Sequence, residues 1–370
     1  MLVYSVLFIF ILLLSLFMPK DTNKQKKIYL FLCFGSMVLV AGLRKYTIGI
    51  DLVELYAPKY IQICHTSFAN LQFVHMEYGY VLFNKLLSLI STDVQLLIFT
   101  TSLIIYGSYG YFIYKNSKNV AFSTILFIII SLFFMSMNII RQELSVAFLL
   151  IGYEFLKKKK YLAFYIIAFV ATLFHQSSII AFLFPLFYKT KFKKSYFFIG
   201  LVVAAVGFVF STPLINGFTN LISLLGLNNN KDYTMYLSSK AFGVPIINLN
   251  SLSGLLLSIA YFVLCYYYFC ILKDEKNFDE TDNYSLFMIF FYSLFSILSF
   301  KMVIIARFQY YFSPFILCAI PNAIKSSKFK SNIAFITSFI IVFVGAKFLY
   351  IFLYLADDLY GVMPFTFFWQ

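Results

Sequence analysis

Apolar runs recur along the whole chain, separated by short polar stretches rich in lysine. Their lengths predict membrane-spanning helices rather than strands. Expected spans lie at roughly 2–18, 28–43, 94–114, 120–137, 141–156, 161–187, 195–212, 251–272, 284–300, 302–322 and 331–355, with boundaries good to a few residues. Two longer polar stretches, roughly 44–93 and 213–250, read as outer loops. Within the first, "YVLFNKLLSLI" is apolar but short, as an interfacial or re-entrant helix would be. No internal repeat and no linker divides the chain. A single membrane-embedded domain over residues 1–370 is expected.

Composition strengthens that picture. The chain is 62% hydrophobic and only 12% charged, a balance foreign to soluble globular domains. The first run, "LVYSVLFIFILLLSLFM", has no basic n-region and no small-residue cleavage site, so it reads as a retained span rather than a signal peptide. A net charge of +14 would suit a nucleic-acid binder, but here the charge sits in short loops. That is the signature of membrane orientation, and no nucleic-acid partner is expected. The five cysteines form no C-x-x-C pair, and most lie in apolar stretches as buried thiols would.

Lysine sets the expected topology. Clusters occur at Lys20–Lys27, at Lys115 and Lys118, at Lys157–Lys160, at Lys189–Lys194, at Lys273 and Lys276, and at Lys325–Lys330. With the first cluster in the cytoplasm, the count succeeds until 161–187. One continuous span there would put "KTKFKK" outside. Two segments broken at "HQSS", 161–174 and 177–188, return these lysines and every later cluster to the cytoplasm. A 14-residue helix reaches about 21 Å, short of the roughly 30 Å hydrocarbon core. The break at His175 is therefore expected below the outer surface, in a cavity, because bare backbone is tolerated at that depth only inside protein or facing water. The alternative is one long tilted helix followed by a positive outer loop. The fold class expected is an all-α polytopic integral membrane protein of about 11–12 transmembrane segments, broken near His175, with an outward-facing cavity.

The arginines change the picture from fold to chemistry. The chain has 26 lysines and three arginines, Arg44, Arg141 and Arg307. On the expected topology all three lie on the outer side, and the inner clusters contain lysine alone. Arg141 enters an apolar stretch, "NIIRQELSVAFLL", where arginine costs about 2.5 to 3.5 kcal/mol on insertion scales. A guanidinium is a permanently charged planar fork that grips phosphate or carboxylate through paired hydrogen bonds. Three forks around an outer cavity point to a polyanionic ligand; the plainer reading is structural ion pairing.

Other polar groups collect on that side. "RKYTIGIDLVELYAPKY" offers Asp51, Glu54, Tyr56 and Tyr60 beside Arg44, with Gly49 permitting a turn. "HMEYGY" adds Glu77, and Asn138, Gln142 and Glu143 flank Arg141. "RFQYYF" places Arg307, Tyr310 and Tyr311 at i, i+3 and i+4, one face of a continuous helix. His175 is a candidate for a ligand or proton-transfer role because it stands at the break; His65 and His75 read as structural. Asp51 and Glu77 are also candidates simply to pair with Arg44. No zincin, P-loop, nucleophile-elbow or dinucleotide pattern stands in a convincing context.

The order of these pieces resembles the EpsG-like family of Wzy-type polysaccharide polymerases. The segments that carry the resemblance are "RKYTIGIDLVELY", "EYGY", "NIIRQELSVAFLLIGYEFLKKKKY", "ATLFHQSSIIAFLFPL" and "RFQYYF", over residues 44 to 312. Leu52 departs from the small polar residue more usual after the aspartate. The resemblance implies an enzyme that joins oligosaccharide repeat units carried on undecaprenyl diphosphate, at the outer face of the bacterial plasma membrane. It implies no cofactor and no metal. Arg141 and Arg307 would stabilise the diphosphate leaving group. His175, Asp51 or Glu77 would orient or deprotonate the acceptor hydroxyl. Arg44, Gln142, Tyr56, Tyr310 and Tyr311 would bind substrate. The partners implied are the lipid-linked oligosaccharide, the bilayer, and a chain-length regulator or flippase of the same pathway. A ligase acting on the same lipid carrier is the alternative enzyme, and a flippase the alternative transporter. A flippase would show charge through the membrane depth and an inverted repeat.

Overall fold

The computed structural model describes residues 2–224, 249–273, 280–302, 305–324 and 360–370. The described residues are helical, without strands beyond one isolated bridge, Arg44 to Phe367. The chain divides into two compact units, residues 1–182 with 320–370, and residues 183–319. The last expected span, 331–355, and the 225–248 part of the second expected loop lie outside the described residues.

In the first unit, α1 (Leu2–Phe17), α2 (Asn23–Gly42), α5 (Val94–Asn116), α8 (Ile140–Lys157) and α9 (Tyr161–Phe174) fall where the apolar runs predict. Among the described residues, α2 and α5 are the two helices both long and apolar enough to cross a membrane. Thr22 and Gln25 form a reciprocal capping box that starts α2. Asp93 caps α5 by accepting from the Gln95 amide at 2.8 Å. The helices pair along their lengths: α2 with α5, α5 with α8, and α8 with α9.

Two expected spans are interrupted. Residues 120–137 form α6 (Val120–Ile129) and α7 (Leu132–Ser136), separated by Ser131 at φ 65°. A left-handed residue cannot continue a right-handed helix. Residues 302–322 form a four-residue helix, Ala306–Gln309, and then Ser313–Ile324, with turns at 310–312. The expected break at His175 is present: α9 ends at Phe174, a 3-10 helix follows over Gln176–Leu183, and α10 occupies Phe184–Lys189. A single long tilted helix is thereby ruled out. The expected outer loop 44–93 is also ordered. It holds a π-helical turn (Leu52–Tyr56), α3 (Ala57–Cys64), a 3-10 helix (Phe68–Phe73) and α4 (Tyr78–Ser88). Lys85 is buried and donates to the carbonyls of Ile63 and Cys64, clipping α4 to the end of α3.

The second unit contains α11 (Ser195–Val209), α12 (Ser211–Leu224), α13 (Leu249–Lys273) and α14 (Glu280–Ser299), besides the segments already given. Its interior is aromatic: Phe287 meets Phe187, Phe192 and Phe291, and Phe187 meets Phe291. One face of α11 exposes Phe198, Leu201, Val202 and Val209.

Candidate functional site

Glu77 is the N-cap of α4, yet its side chain makes no capping bond. The carboxylate, buried at 6% exposure, turns instead to two partners. Oε2 accepts from Arg141 Nη1. Oε1 lies 3.6 Å from His175 Nδ1, an electrostatic contact beyond hydrogen-bond length. One carboxylate thus bridges the first turn of α8 and the end of α9.

Local structure explains the meeting. His175 is the C-cap of α9, in extended backbone, with its amide donating to Ala171 O at 3.0 Å. Its carbonyl accepts from both the amide and the hydroxyl of Ser178, at 3.0 and 2.9 Å. The "H-x-x-S" spacing so replaces the helical bonds lost at the break. Gly79 lets α4 approach: a Cβ there would stand 2.7 Å from Leu173 Cβ and 2.8 Å from Leu173 O. Ser145 donates to Ala171 O at 3.0 Å, fixing α8 on α9 beneath the cluster.

Tyr56, at the end of the π turn, lies under the Arg141 guanidinium, 5.6 Å from ring centroid to Cζ, a cation–π contact. Burial raises the Tyr56 phenol above its ordinary range, and Arg141 opposes the shift. Tyr56 is therefore a neutral hydroxyl at working pH rather than a base. Asp51 acts electrostatically on Tyr56; the wide π turn sets these residues, five apart, on one side. The Asp51 amide donates to Asn138 Oδ1 at 3.3 Å. Tyr80 Oη and the Asn84 amide are buried side by side on α4, and Arg141 Nε is buried with them. Tyr80 packs edge-on against Tyr56, 5.8 Å between centroids.

The structure brings together Glu77, Arg141, His175 and Tyr56, with Asp51 in electrostatic reach of Tyr56. Gln142 is buried beside Arg141 on α8. Arg44 is used differently. It is 1% exposed and donates to the carbonyls of Ala41 (2.8 Å), Met137 (2.9 Å) and Ile48 (3.3 Å). It acts as a clasp among backbone carbonyls inside the protein, and Glu77 pairs with Arg141 rather than with it. Arg307 belongs to the second unit, half-buried on the short helix 306–309. Tyr310 caps that helix and Tyr311 is buried in the following turn, so the expected single helix face is not formed.

Tyr80 and Asn84 were not singled out from sequence. Their i, i+4 spacing in α4 was the available signal, masked by the shortness of the apolar segment around them. The 360–370 segment was missed as well. It clasps the Arg44–Asp51 stretch through Lys45 N–H to Thr366 O, Gly49 N–H to Gly361 O, Ile50 N–H to Tyr360 O and Phe368 N–H to Leu43 O, at 2.7 to 3.2 Å. Asn138 Nδ2 joins it through Tyr360 O at 2.6 Å.

No curated protein and no solved structure matches the chain. The model of the EpsG family matches residues 27–367, which take in every segment of the cluster and most of the clasp. The chain belongs to the EpsG family, a family of Wzy-type polysaccharide polymerase-like proteins.

Proposed function

We propose that this protein is a multi-pass membrane glycosyltransferase of the bacterial plasma membrane. It joins oligosaccharide repeat units carried on undecaprenyl diphosphate, with its reacting groups facing outside. The observation that carries the proposal is the buried bridge from Arg141 through Glu77 to His175, at the end of a helix that stops short of a full span. Family membership supports polysaccharide biosynthesis. The apolar surface of α9 and α11, exposed at Leu162, Ile166, Phe169, Phe198 and Leu201, supports a lipid surrounding, because soluble proteins rarely show such faces.

Each group then has a role. Glu77 pins one arm of the Arg141 fork and stacks it over Tyr56, so the cation is oriented before substrate arrives. The bond from anomeric carbon to diphosphate oxygen breaks, and Arg141 stabilises the charge gathering on that oxygen. A preorganised cation suits this task without a metal. The same carboxylate steadies the His175 ring, and the imidazole orients or deprotonates the acceptor hydroxyl that attacks the anomeric carbon. Glu77 Oε1 stabilises the imidazolium that results. Asp51, next to Tyr56, is the second candidate base. Incubating the purified protein with lipid-linked repeat units tests the proposal. A ladder of products on a gel is expected. One addition to a non-carrier acceptor indicates a ligase, and transbilayer movement without product a flippase.

A further inference from the structure

The outer 44–93 segment carries a concave site that the bridge does not use. A cavity of about 510 Å³ is lined by Gln62, His65, Thr66, Ser67, Asn70, Phe73 and Val74. None of these is an acid or a strong base. Among the described residues, the side chains of His65, Ser67 and Asn70 make no hydrogen bond. Gln62 and Thr66 are held in place, Gln62 by Lys59 Nζ at 2.9 Å and Thr66 by the Gln62 carbonyl at 2.7 Å. Phe73 stands 67% exposed at the edge. Beneath lies a small packed core of Ile63, Leu71, Val74 and Val81, with Lys85 clipping α4 to α3. The cavity therefore has a packed floor, with Gln62, His65, Ser67, Asn70 and Phe73 standing exposed around it.

We propose that this cavity is a subsite for a neutral sugar ring of the glycan, a reading that rests on the polymerase function above. Amide, hydroxyl and imidazole groups match the donor and acceptor pattern of sugar hydroxyls, and an exposed ring offers its face to the C–H side of a pyranose. A phosphate would call for a cluster of cations; the lining holds no lysine or arginine, and the ammonium beside it, Lys59 Nζ, is engaged by Gln62. Position supports the same ligand. The π turn bearing Tyr56 runs directly into α3, and Gln62 and His65 lie about 9 and 14 Å further along that axis by helical rise. That is the reach of two or three linked sugars from the group under Arg141.

The test uses the full chain in lipid nanodiscs, with lipid-linked repeat units for kinetics. The repeat oligosaccharide, freed from its lipid by mild acid, serves for saturation-transfer NMR. Asn70→Ala and Phe73→Ala should each raise KM about 5- to 10-fold, the loss expected for one hydrogen-bonded or stacked group. Their kcat should stay within about twofold of the parent by the same reasoning, and Phe73→Tyr should behave as the parent. The NMR signal of the free oligosaccharide should fall in the Ala variants. Unchanged KM and unchanged NMR signal overturn the subsite, as does an equal defect in Phe73→Tyr. Normal KM in nanodiscs with shortened polymer in cells would assign the face to a protein partner and likewise overturn it. If the parent makes no ladder but binds the oligosaccharide in an Asn70-dependent way, the polymerase reading fails and the subsite stands.

Discussion

Arg141 is held by one arm on Glu77 and by its flat face on Tyr56. A lysine ammonium at the same place keeps the charge but loses both the fork and the stacking. Arg141→Lys is expected to lose most polymerase activity and Arg141→Ala nearly all, about 10²–10³ in rate, by analogy with a removed oxyanion donor. Lipid-linked single repeats should accumulate in cells. Normal turnover in Arg141→Lys at matched expression would reduce this arginine to an anchoring ion pair. The same pair of substitutions at Arg307 tests its sequence-based role separately. His175→Ala should cost about 10²–10⁴ in kcat if the imidazole moves a proton; near-normal turnover in His175→Gln would leave only hydrogen bonding. Arg44 belongs to another class of experiment. Arg44→Ala leaves three buried carbonyls unmade, each costing about 1–3 kcal/mol, so a lower melting temperature and poor yield are expected, measured by thermal unfolding in detergent. A fully stable Arg44→Ala that binds glycan poorly would return Arg44 to the substrate site.

At the scale of elements, two close approaches build the site. The end of α9 must stop at His175, and the start of α4 must come within contact of Leu173. Gly79→Ala puts a methyl into Leu173 at 2.7 Å, inside the distance real side chains keep. Backbone lies behind Leu173 Cβ, so α4 has to move away, taking Glu77 from His175. Gly79→Ala is expected to lose about tenfold or more in kcat, on the scale of an angstrom-level misplacement of catalytic groups, while overall helicity by circular dichroism holds. Full activity there would show that the Glu77–His175 approach is not needed. The break itself has a topological consequence. A cysteine probe at Lys191 should be shielded from an impermeant external reagent, as should one at Lys158. External labelling at 191 would undo the membrane placement argued for the break.

At the scale of the molecule, the first unit is polarised. At one end Lys27 and Lys115 lie over Tyr114, and Lys157 bonds Asn116 and Glu154. The end of α2 meets the start of α5, with Gln95 donating to Gly42 O at 2.5 Å. The start of α8 meets the end of α9 at the Glu77 bridge. Lysine-bearing ends and site-bearing ends therefore lie at opposite ends of these helices. The 360–370 segment closes the site-bearing end over Arg44–Asp51, helped by Tyr4 donating to Val362 O at 3.0 Å. Deleting residues 360–370 should unmake these bonds and loosen the π turn under Arg141. The expected readout is faster hydrogen exchange across residues 43–56 and a loss of activity, with α5 and α8 still protected. Unchanged exchange there would mean the clasp is dispensable.

The sequence by itself determined the helices, the lysine asymmetry and the break at His175, because burial periodicity, charge and span length are local quantities. It also supplied Arg141 and His175 as candidates, since polar groups in apolar runs are costly wherever they fall, and Glu77 as one of the acidic groups of the polar stretch 44–93. It did not reveal the partnership. Glu77 and Arg141 are 64 positions apart, and only the approach of α4 to α9 decided that Glu77 pairs with Arg141 while Arg44 turns to backbone carbonyls. Ser131 and the turns at 310–312 were equally hidden, because a run of apolar residues has the same pattern whether its helix is whole or broken. The clasp at 360–370 lay beyond sequence reasoning for a related reason: its bonds join backbone to backbone, and backbone groups carry no residue signature.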